Sequence, residues 1–119
     1  MTREQIKEKL LNMIGSKVTM FVDRPIHSTH PKHKDIVYGV NYGYIKEFIA
    51  LDGDYQDAYL LGVEEVVESY EGVVYAIVER IDDNEDKLII VPENKEYTLK
   101  EIEEKVNFQE KFFKHKIIK

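Results

Sequence analysis

Cysteine is absent from this chain of 119 residues. That excludes disulfides, thiolate zinc sites and a cysteine nucleophile. It suits a reducing compartment, so a cytoplasmic location is expected. Long apolar runs are absent too. No stretch approaches the roughly 18–20 residues that span a bilayer. The N-terminus reads as a charged amphipathic segment and not as a secretory signal, so no membrane partner is expected. Positive charge is in short supply: 17 Lys and Arg face 23 Asp and Glu, for a net charge of −6. A generic nucleic-acid binder would be basic, so nucleic acid is not an expected partner either. Length sets the last bound. A chain of this size forms one domain, here residues 1–119, and buries about two-thirds of its unfolded surface, enough for a core without staples.

What charge there is falls in blocks. Residues 24–34 carry Arg24, Lys32, Lys34 and three histidines with no acid, whereas 47–71 and 82–86 are acidic. A basic arm beside an acidic cluster suits a metal–phosphate substrate. The densest acidic cluster is Asp52-Gly53-Asp54-Tyr55-Gln56-Asp57. Carboxylates this close repel one another unless cations or water lie between them, and Gly53 lets the backbone turn sharply. Two readings stand. One is a solvated turn. The other is a site for a hard divalent cation, most simply Mg2+, with Mn2+ as an alternative. An EF-hand loop is set aside: it wants Gly sixth and Glu twelfth between helices, and here Asp57 and Val63 stand there with strands on either side.

Periodicity supplies the elements. Thr2 and Gln5 make a capping-box pattern, Ile6, Leu10, Met13 and Ile14 form one stripe, and Gly15 ends a helix over 2–14. Its expected role is a lid on the core or a dimer contact. Residues 17–23 alternate as a strand that Pro25 stops. Residues 24–36 form a loop with His27, His30 and His33 at a spacing of three. Pro31 disfavours a helix there. Three readings remain for it: a three-histidine metal site, phosphate contact by Arg24, Lys32 or Lys34, or a solvated loop. Residues 36–51 read as two short strands broken by Gly39 and Gly43, with Tyr42 and Tyr44 on one face. A buried strand over 57–62 and an acidic connection over 63–71 follow. Residues 72–92 are a hairpin turning at Asp82–Asp86. Thr98 and Glu101 cap a helix over roughly 99–107 with Ile102 and Val106 inward, and 116–119 ends the chain as a strand. The sum is a mainly β chain with helices (α+β). The expected architecture is a small closed or partly open β-barrel of the oligonucleotide/oligosaccharide-binding type, with the N-terminal and C-terminal helices packed outside.

Val40-Asn41-Tyr42-Gly43-Tyr44-Ile45 followed by Asp52-Gly53-Asp54-x-x-Asp57 resembles the core of the family I soluble inorganic pyrophosphatases, and the spacing from Tyr42 to Asp52 matches without a gap. The resemblance covers about residues 36–92. The chain also looks like a member of a shorter bacterial branch of that family carrying Val-Asp-Arg-Pro and His-Pro-Lys-His segments, seen here as Val22–Pro25 and His30–His33. It implies a barrel of the same type and metal-dependent hydrolysis of pyrophosphate, with Asp52, Asp54 and Asp57 holding Mg2+ and Tyr42 binding phosphate. The turn aligns with a "D-x(4)-D-x-K" pattern. Lys87 then matches a phosphate-binding Lys, Glu85 the second acid, and Asp82 or Asp83 a metal-binding Asp. Asp54 or Glu85 would act as base. Lys32 falls near another phosphate-binding Lys, Asp23 near an active-site Glu, and Lys116 near the product-phosphate grip.

The departures are specific. One hairpin is missing, the phosphate-binding Arg has no counterpart unless Arg24 folds back, the C-terminal Tyr is absent, and Tyr55 replaces a Pro. These leave two alternatives open: hydrolysis of another phosphoanhydride such as a nucleotide diphosphate, or a non-catalytic module that binds metal and phosphate. A homo-oligomer is expected, of no specified order.

Overall fold

The computed structural model describes residues 2–119. Its elements run α1 (Arg3–Asn12), β1 (Lys17–Arg24), β2 (Asn41–Ile49), β3 (Tyr55–Leu60), β4 (Ser69–Arg80), β5 (Lys87–Val91), α2 (Leu99–Glu110) and β6 (His115–Ile118). Both helices open on the capping boxes read from the sequence, Thr2 with Gln5 and Thr98 with Glu101. Each box satisfies amides that have no acceptor inside the helix. The second helix runs to Glu110, three residues past the expected end at 107, and those residues matter for the site.

The strands follow the order β1-β2-β3-β5-β4, and β4 returns to pair with β1, which closes a five-stranded barrel. Every pairing is antiparallel except that of β3 with β5. The first half of β4 serves β1, and its last four residues take β6 as an added strand. Two apolar layers result. Val18, Met20, Ile45, Ala58, Leu60, Ile77 and Leu88 fill the barrel, with Ile6 and Leu10 of α1 packed on them. Tyr42, Tyr59, Ala76, Val78, Ile89 and Val91 form a second layer beneath Ile102 and Val106 of α2. β5 is apolar from Leu88 onward and fully buried because both its faces are covered. Each such side chain stabilises the fold by about 1.5–3 kcal/mol.

Gly43 does not break a strand, contrary to the expectation. It sits inside a continuous β2, and a Cβ there would lie 1.8 Å from the Phe21 carbonyl oxygen. The glycine is needed for the close approach of β1 to β2.

Two β-bulges decide which side chains reach the outer layer. In β1 the register passes from Val22 opposite Gly43 to Arg24 opposite Tyr42, leaving Asp23 extra. In β4 it passes from Val74 opposite Ile90 to Ala76 opposite Ile89, leaving Tyr75 extra. Strand side chains alternate between faces, so one extra residue reverses all that follow. Val18 and Met20 belong to the barrel interior, but Arg24 stacks on Tyr42 of the outer layer. Val74 is interior, while Ala76 and Val78 are in the outer layer, in phase with Arg80.

Candidate active site

A cleft of about 630 Å³ opens on the outer face, between the end of α2, the 24–36 loop and the β4–β5 turn. Arg24, Lys32, Tyr42, Asp57, Glu85 and Lys87 line it. A smaller cavity of about 260 Å³ adjoins it under α1, sharing Asp57, Glu85 and Lys87 and adding Asp52 and Asp83. Most of the residues singled out from the sequence therefore converge on two connected spaces. Five do not: Asp23, Lys34, Asp54, Asp82 and Lys116 line neither. Asp54 is exposed in the turn, and its amide is taken by Asp52 Oδ1 at 3.0 Å. Asp82 accepts the Lys114 amide at 3.2 Å. Lys116 is opposite Glu79 on the added strand.

The parallel pairing of β3 and β5 brings the central pair together. Lys87 is buried and donates from Nζ to Asp57 Oδ2 at 2.8 Å. Nζ also lies 5.6 Å from the ring centroid of Tyr42. Burial, with the Asp57 charge beside it, pushes the Tyr42 hydroxyl well above its ordinary range, so it stays protonated as a donor. Across the cleft Arg24 lies 5.5 Å from the same ring. Among the described residues Arg24 makes no salt bridge to an acid. Its Nη1 donates instead to the Tyr38 hydroxyl at 2.6 Å.

The histidine loop forms the opposite wall. His30 and His33 line the cleft with ring centroids 5.1 Å apart, while His27 lines a different cavity. Burial, and then the nearby Arg24, His33 and Lys32, lower the His30 pKa. Its Nδ1 accepts the Lys32 amide at 3.0 Å, which suits a neutral ring.

Sequence reasoning missed the buried polar cluster behind the cleft. Arg80 binds Glu110 through two bonds, Nε to Oε1 at 3.0 Å and Nη2 to Oε2 at 2.7 Å. Its Nη1 donates to Asp83 at 2.9 Å and to Glu85 at 3.5 Å, and its guanidinium lies 3.7 Å from the Phe113 ring centroid. Burial alone would lower the Arg80 pKa, but the Glu110 bonds and charge outweigh it and raise it. The signal was in the pattern. Gln109 and Glu110 continue the Ile102–Val106 stripe at helical spacing, and Arg80 continues the Ala76–Val78 alternation. Polar residues in apolar register mark a buried polar site.

The acids suit a hard divalent cation in kind, since all are carboxylates. Their geometry does not form a closed cage. Asp57 is bonded to Lys87, Asp83 to Arg80, and Asp86 to Arg3 at 2.7 and 3.0 Å. Among the described residues no three His, Cys, Asp or Glu converge closely enough to hold an ion. This arrangement fits an ion that keeps its waters and arrives with an anionic ligand, as Mg2+ does. It does not fit a preformed multi-metal nest.

The architecture is that of a known class. No protein-family model matches the sequence, and no curated protein is similar to it. Among solved structures, the inorganic pyrophosphatase of Ehrlichia chaffeensis aligns over 87% of this chain and 86% of its own, with a TM-score of 0.65 at 12% identity. That of Helicobacter pylori aligns over 86% and 81% (TM-score 0.58, 14% identity), and that of Coxiella burnetii over 87% and 84% (0.58, 15%). The chain is an OB-like barrel, and its fold is that of the inorganic pyrophosphatases. Identities this low carry the fold and leave the chemistry to be argued from the side chains.

Proposed function

We propose that the larger cleft binds a diphosphate and hydrolyses its phosphoanhydride bond, inorganic pyrophosphate being the simplest substrate. The observation that carries this is the convergence of Tyr42, Asp57, Lys87, Arg24 and Lys32 on one cleft of a pyrophosphatase-type barrel. Arg24, Lys32 and Lys87 would neutralise and orient the phosphates, and Tyr42 would donate a hydrogen bond to a phosphate oxygen. Asp57, Asp52 and Asp83 would hold Mg2+ or Mn2+ carried in with the substrate. When bound, such an ion lowers the pKa of a coordinated water and neutralises charge on the leaving phosphate. Glu85 lines both spaces and is half-exposed, so we assign it to take the proton of the attacking water. Asp54 is retained as a rival base.

The test is phosphate release from pyrophosphate with Mg2+ and then Mn2+, using wild type beside Asp57→Asn, Glu85→Gln and Asp54→Asn. Expected is metal-dependent turnover that falls by about two to three orders of magnitude in the first two variants. A loss confined to Asp54→Asn would move the base to the exposed turn. No turnover with diphosphate binding intact would reduce the protein to a binding module.

A further inference from the structure

Arg24 is one of two arginines on the cleft, yet among the described residues it has no carboxylate within ion-pair distance to aim it. A connected set of hydrogen bonds does so instead. Arg24 Nη1 donates to the Tyr38 hydroxyl at 2.6 Å. Tyr38 donates to Gln109 Oε1 at 3.0 Å. Gln109 Nε2 donates to the Tyr59 hydroxyl at 2.6 Å. Tyr59 donates to Glu110 Oε2 at 2.6 Å, where the chain ends on the carboxylate that Arg80 also binds. Five side chains from β1, β3, α2 and the 25–40 loop are strung in one direction.

The direction follows from chemistry at one end. Glu110 is fully buried, and both its oxygens already accept from Arg80, so the carboxylate is the accepting end. Tyr59 must then donate to it and offer a lone pair to the Gln109 amide. The amide must present NH2 to Tyr59 and oxygen to Tyr38. Tyr38 is thereby left with a lone pair toward Arg24. Reversing any link would leave a buried donor or acceptor unpaired, at a cost no partner here offsets.

We infer that Gln109 and Glu110 are positioning residues that orient Arg24, through Tyr59 and Tyr38, as the phosphate-binding cation of the cleft. This rests on the diphosphate reading above and supplies the arginine that the sequence lacks at its expected place. Gln109 itself lines the cleft, so the helix end reports directly to the ligand space.

The experiment uses the full chain and three variants: Tyr38→Phe, Gln109→Met and Arg24→Lys. Binding of methylenediphosphonate with Mg2+ is measured by calorimetry, steady-state kinetics are measured on pyrophosphate, and the Arg24 Hη resonances are followed by NMR. Expected for Tyr38→Phe and Gln109→Met is an affinity loss and a KM rise of about tenfold, with kcat within about twofold. In both, the Arg24 Hη signals, expected to be resolved in wild type because Nη1 is bonded to Tyr38, become averaged. Arg24→Lys shows the same KM rise, because a point charge cannot replace the oriented fork. A wild-type KM and an unchanged Arg24 signal in Tyr38→Phe overturn the inference. If wild type binds no diphosphate, the reading of function fails. The positioning claim is then decided by the Arg24 signal alone: averaged in the variants supports it, unchanged overturns it. Should Gln109→Met fold poorly, Tyr38→Phe, which removes one oxygen from a ring still packed against Tyr42 and Phe108, decides the matter.

Discussion

Arg24 and Arg80 reach the same cleft by the same device, each following a single extra residue in its strand. Beyond that they differ. Arg80 is enclosed by Glu110, Asp83 and Glu85, whereas Arg24 bonds to the Tyr38 phenol and lies over the Tyr38 and Tyr42 rings. One holds structure, and the other is free to bind.

Substitution should separate them. Arg80→Met strands the buried Glu110 carboxylate and should cost about 3–5 kcal/mol of stability by urea denaturation. The double variant Arg80→Met/Glu110→Met should recover most of that loss. Arg24→Ala should cost only about 1 kcal/mol, for the lost bond to Tyr38, while weakening methylenediphosphonate binding about 10- to 100-fold. Equal stability losses for the two single variants would contradict this division.

Divalent metal should act only with its anion. Asp57 is occupied by Lys87 and Asp83 by Arg80, so Mg2+ alone must break an ion pair to bind. Millimolar Mg2+ alone should therefore move Tm little. Methylenediphosphonate added with Mg2+ should raise Tm clearly, as expected for a ligand that binds only the folded state. A large rise with Mg2+ alone would mean that the acids do form a metal nest.

Two glycines should respond differently to alanine. At Gly43 the new methyl meets the Phe21 carbonyl at 1.8 Å, which is backbone and cannot swing aside. Gly43→Ala should cost about 3 kcal/mol or more and lower Tm sharply. Gly53, at φ +89° with nothing within 4 Å, should cost only about 1–2 kcal/mol for left-handed backbone. Thermal melts of both variants check this.

Stability should carry a mark of His115. Burial works against its charge, but its bond to the Phe113 carbonyl and its 2.8 Å contacts with Glu103 raise its pKa above the ordinary value. A raised folded pKa means that the folded state holds the proton more tightly. The contribution is fully present below about pH 6.5 and is lost as pH rises through the raised value. Wild type should exceed His115→Gln in stability at about pH 6, with the gap narrowing toward pH 9. A gap that widens with pH would reverse the sign and reject the ion pair.

Much of this was legible in the sequence, and the rest was hidden for identifiable reasons. The capping boxes at Thr2 and Thr98 and the 72–92 hairpin are local patterns, and local patterns survive folding. Tyr42, Asp57 and Lys87 carry a spacing that the family resemblance exposed, and they do meet. The bulges were invisible because Asp23 and Tyr75 are ordinary strand-region residues with no marker of their own. Gln109 and Glu110 lie beyond the helix end expected at 107, so the inward stripe read from periodicity stops before them. The 83-residue separation between Arg3 and Asp86 in sequence is typical of what patterns cannot supply. Charge pairing at that range is decided by topology.

The extra residue at Tyr75 has a genetic corollary. Removing that single codon would keep the reading frame and the faces of the rest of β4, because Ala76 would follow Val74 in plain alternation and still meet Ile89. What would go is the bend that the bulge puts into the strand. Losing the codon for Ile77 instead would put Val78 and Arg80 on the inner face and drive the guanidinium toward the barrel interior. The loss of one triplet is thus harmless to the wall at one position and erases the cleft two positions later.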